Sequence, residues 1–243
     1  MAILEVRGLH SGYGDVRILH GCNLSIAEGK LTALVGANGA GKTTLLRTVM
    51  GLIRPIQGEI KFKGEEITHL SAHEKAEMGL ILVPEGRQLF TTMSVAENLE
   101  MGATPERARP QLDANLEKVC GLFPRLKERL NQKAGTLSGG EQQMLAVARG
   151  IMAEPVVFMI DELSLGLAPA MSMQLIEALV SLRQAGMTIL LVEQNVQMAL
   201  AVCDYAYVLS EGRMELEGTG RELAQNERVR AAYLGVSSQG TGD

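Results

Sequence analysis

Gly36-Ala37-Asn38-Gly39-Ala40-Gly41-Lys42-Thr43 is the stretch on which the reading of this chain turns. An apolar run, Lys30 to Val35, leads into it, and Lys42 to Met50 reads as a helix leaving it. Strand, glycine loop and helix in that order match G-x-x-x-x-G-K-[ST] in the context that gives the motif meaning. The glycines let the backbone curl so that N–H groups converge on phosphate oxygens at the positive end of a helix dipole. Gly36, Asn38, Gly39, Ala40, Gly41 and Thr44 are the expected cradle, with Lys42 reaching the β- and γ-phosphates and Thr43 placing its hydroxyl on Mg²⁺. The residues alone also allow a glycine-rich turn that merely caps a helix. Gly12-Tyr13-Gly14, a lone G-x-G, carries no weight as a dinucleotide fingerprint.

Downstream, Val156-Val157-Phe158-Met159-Ile160-Asp161-Glu162 is an apolar strand ending in two acids. With the phosphate loop upstream, Asp161 fits the second position linked to Mg²⁺. Glu162 is then placed to orient and deprotonate an attacking water, the general-base role. Without that loop, two solvated acids at a strand end would be an equal reading. Leu137-Ser138-Gly139-Gly140-Glu141-Gln142-Gln143 opens a helix ending near Met152. Ser138 and Glu141 have capping-box spacing, and two glycines would let a phosphate approach the helix end closely. It is a second anion-binding helix end or simply a well-capped helix.

Further strands are expected at Leu4 to Leu9, Leu24 to Ile26, Ile60 to Lys63, Leu80 to Val83, Thr188 to Val192 and Tyr205 to Leu209. Helices between several of them favour an α/β fold with a mainly parallel sheet. From Gly86 to Pro155 the strand signal disappears. Ser71/Glu74 and Ser94/Glu97 are capping-box pairs, and Gln111 to Leu130 has apolar residues at helical spacing, so this stretch reads as a helical insertion.

Bulk properties narrow the function. The chain has 243 residues, 46% hydrophobic and 21% charged, enough for one large domain. Aromatics are 3%, Trp is absent and the net charge is −5, which argues against a nucleic-acid partner. Cys22, Cys120 and Cys203 lack metal-ligand spacing and read as the reduced thiols of a cytosolic protein. No signal peptide is expected, nor an apolar run of about 20 residues that could cross a bilayer.

The Ser138 motif resembles the L-S-G-G-Q signature of ABC ATPases, and its place between the phosphate loop and Asp161-Glu162 is also theirs. The resemblance runs from Leu4 to about Gly235. It implies a phosphate-loop NTPase core with an N-terminal antiparallel β subdomain and a helical insertion. The division expected is 1–85 for the first part of the core, 86–155 for the helical signature subdomain and 156–236 for the second part, with 237–243 a disordered tail. It also implies that two nucleotide-binding domains pack head to tail over two ATP molecules. Ser138, Gly139, Gly140 and Glu141 would then act on the other subunit's ATP, and Tyr13 would stack on adenine, although a packing residue in a turn is also open to it.

Departures narrow the resemblance. Glu85 stands where the family carries a Gln near the metal, Gln194 where it carries a switch His, Leu163 where a Pro follows the catalytic Glu, and Ala168 where a loop at the dimer contact has Asp. Val83-Pro84-Glu85-Gly86-Arg87, Ser164 to Pro169 and Val192-Glu193-Gln194-Asn195 together resemble the second ATPase subunit of branched-chain amino-acid importers and its relatives for urea and short amides. Leu163 is left unaccounted for. That resemblance implies a heterodimer with a homologous ATPase, or a homodimer in isolation. It further implies two integral-membrane permeases, a soluble substrate-binding protein and a place on the cytoplasmic face of the cell membrane. A non-transport ABC ATPase acting on ribosomes or DNA lacks the expected second ATP unit or coiled coil here. A GTPase lacks its Asn-Lys-x-Asp motif.

Overall fold

The computed structural model describes residues 1–233, so the expected tail at 237–243 lies outside the described residues. Two long strands, β1 (Ala2–Tyr13) and β2 (Val16–Ala27), form a hairpin, and β3 (Leu31–Val35) then runs into α1 (Lys42–Val49) through the glycine loop. β4 (Gln57–Phe62) and β5 (Glu65–Glu66) return to the hairpin and complete an antiparallel sheet of order β2-β1-β4-β5. The two hairpin strands are longer than the apolar fragments 4–9 and 24–26 suggested. Register shifts along β1 let polar His10, Ser11 and His20 continue the ladder.

After α2 (Ala72–Met78) and β6 (Leu80–Val83) come α3 (Val95–Gly102), α4 (Leu112–Leu122), α5 (Pro124–Lys127) and α6 (Gly139–Met152). The helical spacing expected over Gln111 to Leu130 is divided between α4 and α5. Pro124 has no N–H to continue the ladder and drives the preceding residue out of the helical region, so Phe123 sits at φ −128°, ψ 74°. All three expected capping boxes form, at Ser71, Ser94 and Ser138, and a fourth, at Thr219, escaped the reading of the sequence.

The chain then lays down β7 (Val157–Asp161), α7 (Pro169–Gln184), β8 (Thr188–Glu193), α8 (Val196–Val202), β9 (Tyr205–Ser210), β10 (Arg213–Gly218), α9 (Gly220–Gln225) and α10 (Glu227–Tyr233). The second sheet has the order β10-β9-β3-β8-β7-β6, parallel except for the β10 edge hairpin. Both of its faces are covered, which is why its strands read as unbroken apolar runs. Phe158, Ile160, Ile189 and Leu191 face a core shared with α6 and α7, while Val157, Met159, Leu190 and Val192 face the core under the antiparallel sheet. The carboxyl ends of β3, β8 and β7 therefore lie side by side, with Val35 opposite Glu193 and Val192 opposite Asp161.

Candidate active site

At the end of β3 the chain has to reverse tightly before α1, and two glycines make this possible. A Cβ on Gly36 would lie 2.2 Å from the Leu209 carbonyl oxygen, and Gly41, the N-cap of α1, has φ 107°. Lys42 folds back into the loop, and Nζ donates to Gly36 O at 2.9 Å and Ala37 O at 3.1 Å. It also lies 3.2 Å from Glu162 Oε1, with both side chains buried. Two residues separated by 120 positions in the chain thus meet because β3 and β7 flank β8 in one parallel sheet.

Glu162 follows the last residue of β7 and takes φ 54°, a left-handed conformation that a non-glycine residue rarely adopts. Its N–H donates to Val192 O at 2.9 Å, which ties this strained position to β8. Leu163, unaccounted for in the sequence, is fully buried in the core with α6 and α7 and anchors the chain just beyond Glu162. Strain of this kind persists only where the surroundings over-determine it, typically at functional sites.

Asp161 is buried and its Oδ1 has no hydrogen-bond partner. Burial pushes its carboxyl up to about 6; the Thr43 hydroxyl works against this, and Glu162 and Glu85 add to it. An orphaned carboxylate oxygen beside a hydroxyl and two further acids is what a divalent cation would satisfy. No cluster of three or more His, Cys, Asp or Glu side chains among the described residues could hold a metal by itself. Mg²⁺ does not require one, since it keeps several waters and takes one or two carboxylates plus phosphate oxygens. Thr43 and Asp161, with Glu85 nearby, fit that demand.

A cavity of about 380 Å³ is lined by Asn38, Gly39, Gly41, Lys42, Thr43, Thr44, Glu85 and Glu162. Glu85 and Glu162 also border a second cavity of about 390 Å³ that reaches Gln142 and Gln143 on α6. Tyr13 lies outside these linings, exposed at the end of β1, where its hydroxyl accepts from Arg47 Nη1 of α1 at 3.2 Å. Gln194 is exposed just past β8, at the same sheet edge. Ser138, Gly139, Gly140 and Glu141 are not brought to the Lys42 cavity. Ser138 and Gly139 are exposed at the start of α6, and the Ser138 hydroxyl donates to Glu141 Oε2 at 2.8 Å. The Ser138 N–H, and to a lesser degree that hydroxyl, hold the Glu141 carboxyl below its ordinary range, and Arg129 lies 2.9 Å from its other oxygen.

One side chain at the site was read in the sequence only as part of Val192-Glu193-Gln194-Asn195 and given no role of its own. Glu193, fully buried at the end of β8, accepts from Ser164 N at 2.9 Å and Ser164 Oγ at 3.0 Å. Burial raises its carboxyl, and Glu162 adds to the shift. It fixes the loop leaving Glu162. An acid directly after the apolar run 188–192 was the available signal.

A family model described as "ABC transporter" matches residues 19–164. The chain belongs to the ABC transporter family and is an ATP-binding, ATP-hydrolysing subunit. It is 45% identical to the high-affinity branched-chain amino acid transport ATP-binding protein BraG of Pseudomonas aeruginosa, with 92% of this chain and 95% of BraG aligned. It is 38% identical to the probable branched-chain amino acid transport ATP-binding protein LivF of Archaeoglobus fulgidus, over 96% and 99% of the two chains. Among solved structures, the ADP conformation of MJ1267, an ATP-binding cassette of an ABC transporter, superposes with a TM-score of 0.83 at 26% identity, covering 97% of this chain and 100% of that one.

Proposed function

We propose that the chain powers the uptake of branched-chain amino acids, as one of two ATPase subunits seated on a pair of permeases at the cytoplasmic face of the membrane. The observation that carries the hydrolytic part is the buried Lys42–Glu162 pair, 3.2 Å apart at the mouth of the glycine loop. The substrate class is supported by the likeness, along nearly the whole chain, to two branched-chain amino-acid transport subunits.

In this reading the loop N–H groups and Lys42 take the terminal phosphates of ATP. Lys42 exchanges its bonds with Gly36 O, Ala37 O and Glu162 for phosphate oxygens. The Glu162 carboxylate, released from Lys42, accepts a proton from the water that attacks the γ-phosphorus, and ADP departs. Thr43, Asp161 and Glu85 would hold Mg²⁺, which neutralises phosphate charge. Tyr13 offers its exposed ring to adenine, and Gln194 a neutral hydrogen-bonding group to the γ-phosphate. The Ser138-Gly139-Gly140 end of α6, exposed at Ser138 and Gly139, serves the ATP of a homologous partner subunit, so closure adds contacts that the separate subunits lack and ATP shifts the population toward it. Residues 86–155 form the helical subdomain in this scheme and 1–85 with 156–233 the core, the expected last residues 234–236 of that second part lying outside the described residues.

Among the described residues no helix is long and apolar enough to cross a membrane; in this reading permeases supply the membrane path. A groove of about 510 Å³ in which Phe90 and Met101 are exposed offers them an apolar seat. The test is ATP-driven uptake of radiolabelled leucine into vesicles holding the chain, its permeases and its binding protein. Leucine uptake lost in Glu162→Gln is the expected result. Uptake of urea or a short amide instead would transfer the proposal to that branch, and purification with ribosomes or DNA instead of permeases would end it.

A further inference from the structure

The loop after β6 brings Glu85 to the cavity, and its backbone is held in a shape its own residues disfavour. Arg87 and Gln88 are consecutive non-glycine residues with φ of 65° and 46°. Gln88 N donates to Gly86 O at 2.6 Å, closing a three-residue turn about Arg87. Turns of this kind with positive φ at the centre are rare and strained. Neither residue is a glycine or asparagine, which enter the left-handed region readily.

α6 supplies the restraint. Arg149 Nη2 donates to both carbonyls of the strained pair, at 3.3 Å to Arg87 O and 2.8 Å to Gln88 O. Its guanidinium also lies 5.4 Å from the centroid of the Phe90 ring. Two turns earlier on the helix, Gln142 and Gln143 accept from the Arg87 guanidinium at 2.9 and 3.3 Å. The helix cannot drift away from the loop's origin. Gly150 packs so closely that a Cβ there would lie 2.6 Å from Phe158 and 2.8 Å from Val83, the last residue of β6. One guanidinium nitrogen serves both carbonyls while the planar group lies over the Phe90 ring, a combination that a lysine's point charge matches less well.

We propose that Arg149 is a positioning residue for ATP hydrolysis: it clamps the strained turn at Arg87 and Gln88 and so holds Glu85 at the cavity. It acts on turnover through Glu85, and the grip on ATP is left to the glycine loop. The proposal rests on the reading of Glu85 given above.

The test measures steady-state ATPase kinetics of the full-length chain, with hydrogen exchange over residues 84–93. R149M should lower kcat about tenfold, equivalent to about 1.4 kcal/mol, and leave the KM for ATP within about twofold. The Gln88 amide should exchange faster. Q88G alone should keep wild-type turnover. R149M/Q88G should recover at least about threefold of the loss, because glycine takes the positive φ without strain. A double variant no better than R149M would mean that Arg149 merely packs the helix, and would overturn the proposal. E85A separates the two readings. E85A impaired with R149M normal sinks the clamp. E85A at wild-type turnover sinks the reading of Glu85, and exchange at Gln88 then decides whether Arg149 holds the turn. If R149M does not fold, R149K replaces it, with a smaller loss that Q88G relieves; wild-type turnover and exchange in R149K would overturn the proposal.

Discussion

Replacing Glu162 with Gln keeps the shape of the side chain and removes one charge and one proton acceptor. An amide oxygen can still meet Lys42, which in any case keeps Gly36 O at 2.9 Å and Ala37 O at 3.1 Å. The loss of folding stability is therefore confined to one weakened ion pair, on the order of 1 kcal/mol. Asp161 loses one of the two acids that raise its carboxyl, so an arriving polyphosphate meets less negative charge and ATP affinity is retained or improved. Turnover is different, since a positioned general base contributes roughly 10²–10⁴-fold. That corresponds to about 2.7–5.4 kcal/mol at the transition state. The expected variant binds ATP with wild-type affinity or better, releases phosphate at least about a hundred times more slowly, and accumulates the closed dimer. Fluorescence titration with a labelled nucleotide, phosphate release and size-exclusion chromatography read the three effects separately. Phosphate release within about threefold of wild type would remove Glu162 as the base, because losing a positioned base costs at least about a hundredfold.

Lys42→Ala should weaken ATP binding by about a hundredfold or more, since two charge-assisted bonds to phosphate contribute about 1.5–3 kcal/mol each; unchanged affinity by calorimetry would be incompatible with the glycine-loop reading. Lys75, fully buried with Nζ 2.8 Å from Val49 O, is pushed by burial from 10.5 down to about 8. Its folded value lies below its unfolded one, so between those two pH values the unfolded chain binds more protons and stability rises with pH, the gain being lost as pH falls through about 8. The melting temperature of wild type minus that of Lys75→Met should therefore grow across that window, and a constant difference would refute the effect of burial. Gln194 has no titrating group, so the pH profile of ATPase activity should keep its shape in Gln194→Ala; a step near about pH 6.5 that vanishes in the variant would contradict this.

What could be read from the sequence was what is decided locally. The glycine loop, the two acids closing β7 and the capped start of α6 each depend on residues within a few positions of one another, and all three fell where expected. The break at Phe123-Pro124 was equally local, and helical spacing of apolar residues concealed a proline that carried the decisive signal. β10 alternates Met214 and Leu216 with charged neighbours, a pattern that was present and went unread. Other features take their meaning from distant partners. Glu193 bonds Ser164, 29 positions away, Arg149 bonds carbonyls 61 and 62 positions away, and Lys75 bonds one 26 positions away. Each is a polar group whose meaning depends on which strand ends the sheet order places together.

That sheet order also explains why the costly features are gathered in one place. Asp161, buried with an unpartnered oxygen, Glu162, strained at φ 54°, and Glu193, fully buried and raised toward protonation, all stand at the carboxyl ends of β7 and β8. Each destabilises the fold on its own account, by burial of charge or by backbone strain. The neighbouring strands show the opposite economy, with apolar residues filling both faces. A fold under selection for stability alone would place neutral, hydrogen-bonded residues at these strand ends, as volume-matched apolar substitutes for buried ions often cost nothing. The residues present instead form an arrangement whose deficits a cation and a polyphosphate together would relieve: an acid with one unpartnered oxygen, a lysine held by carbonyls it can exchange, and a second acid paired with that lysine. The free energy released on satisfying them is then available to bind nucleotide, and under the proposed function it is what would drive closure onto a partner subunit.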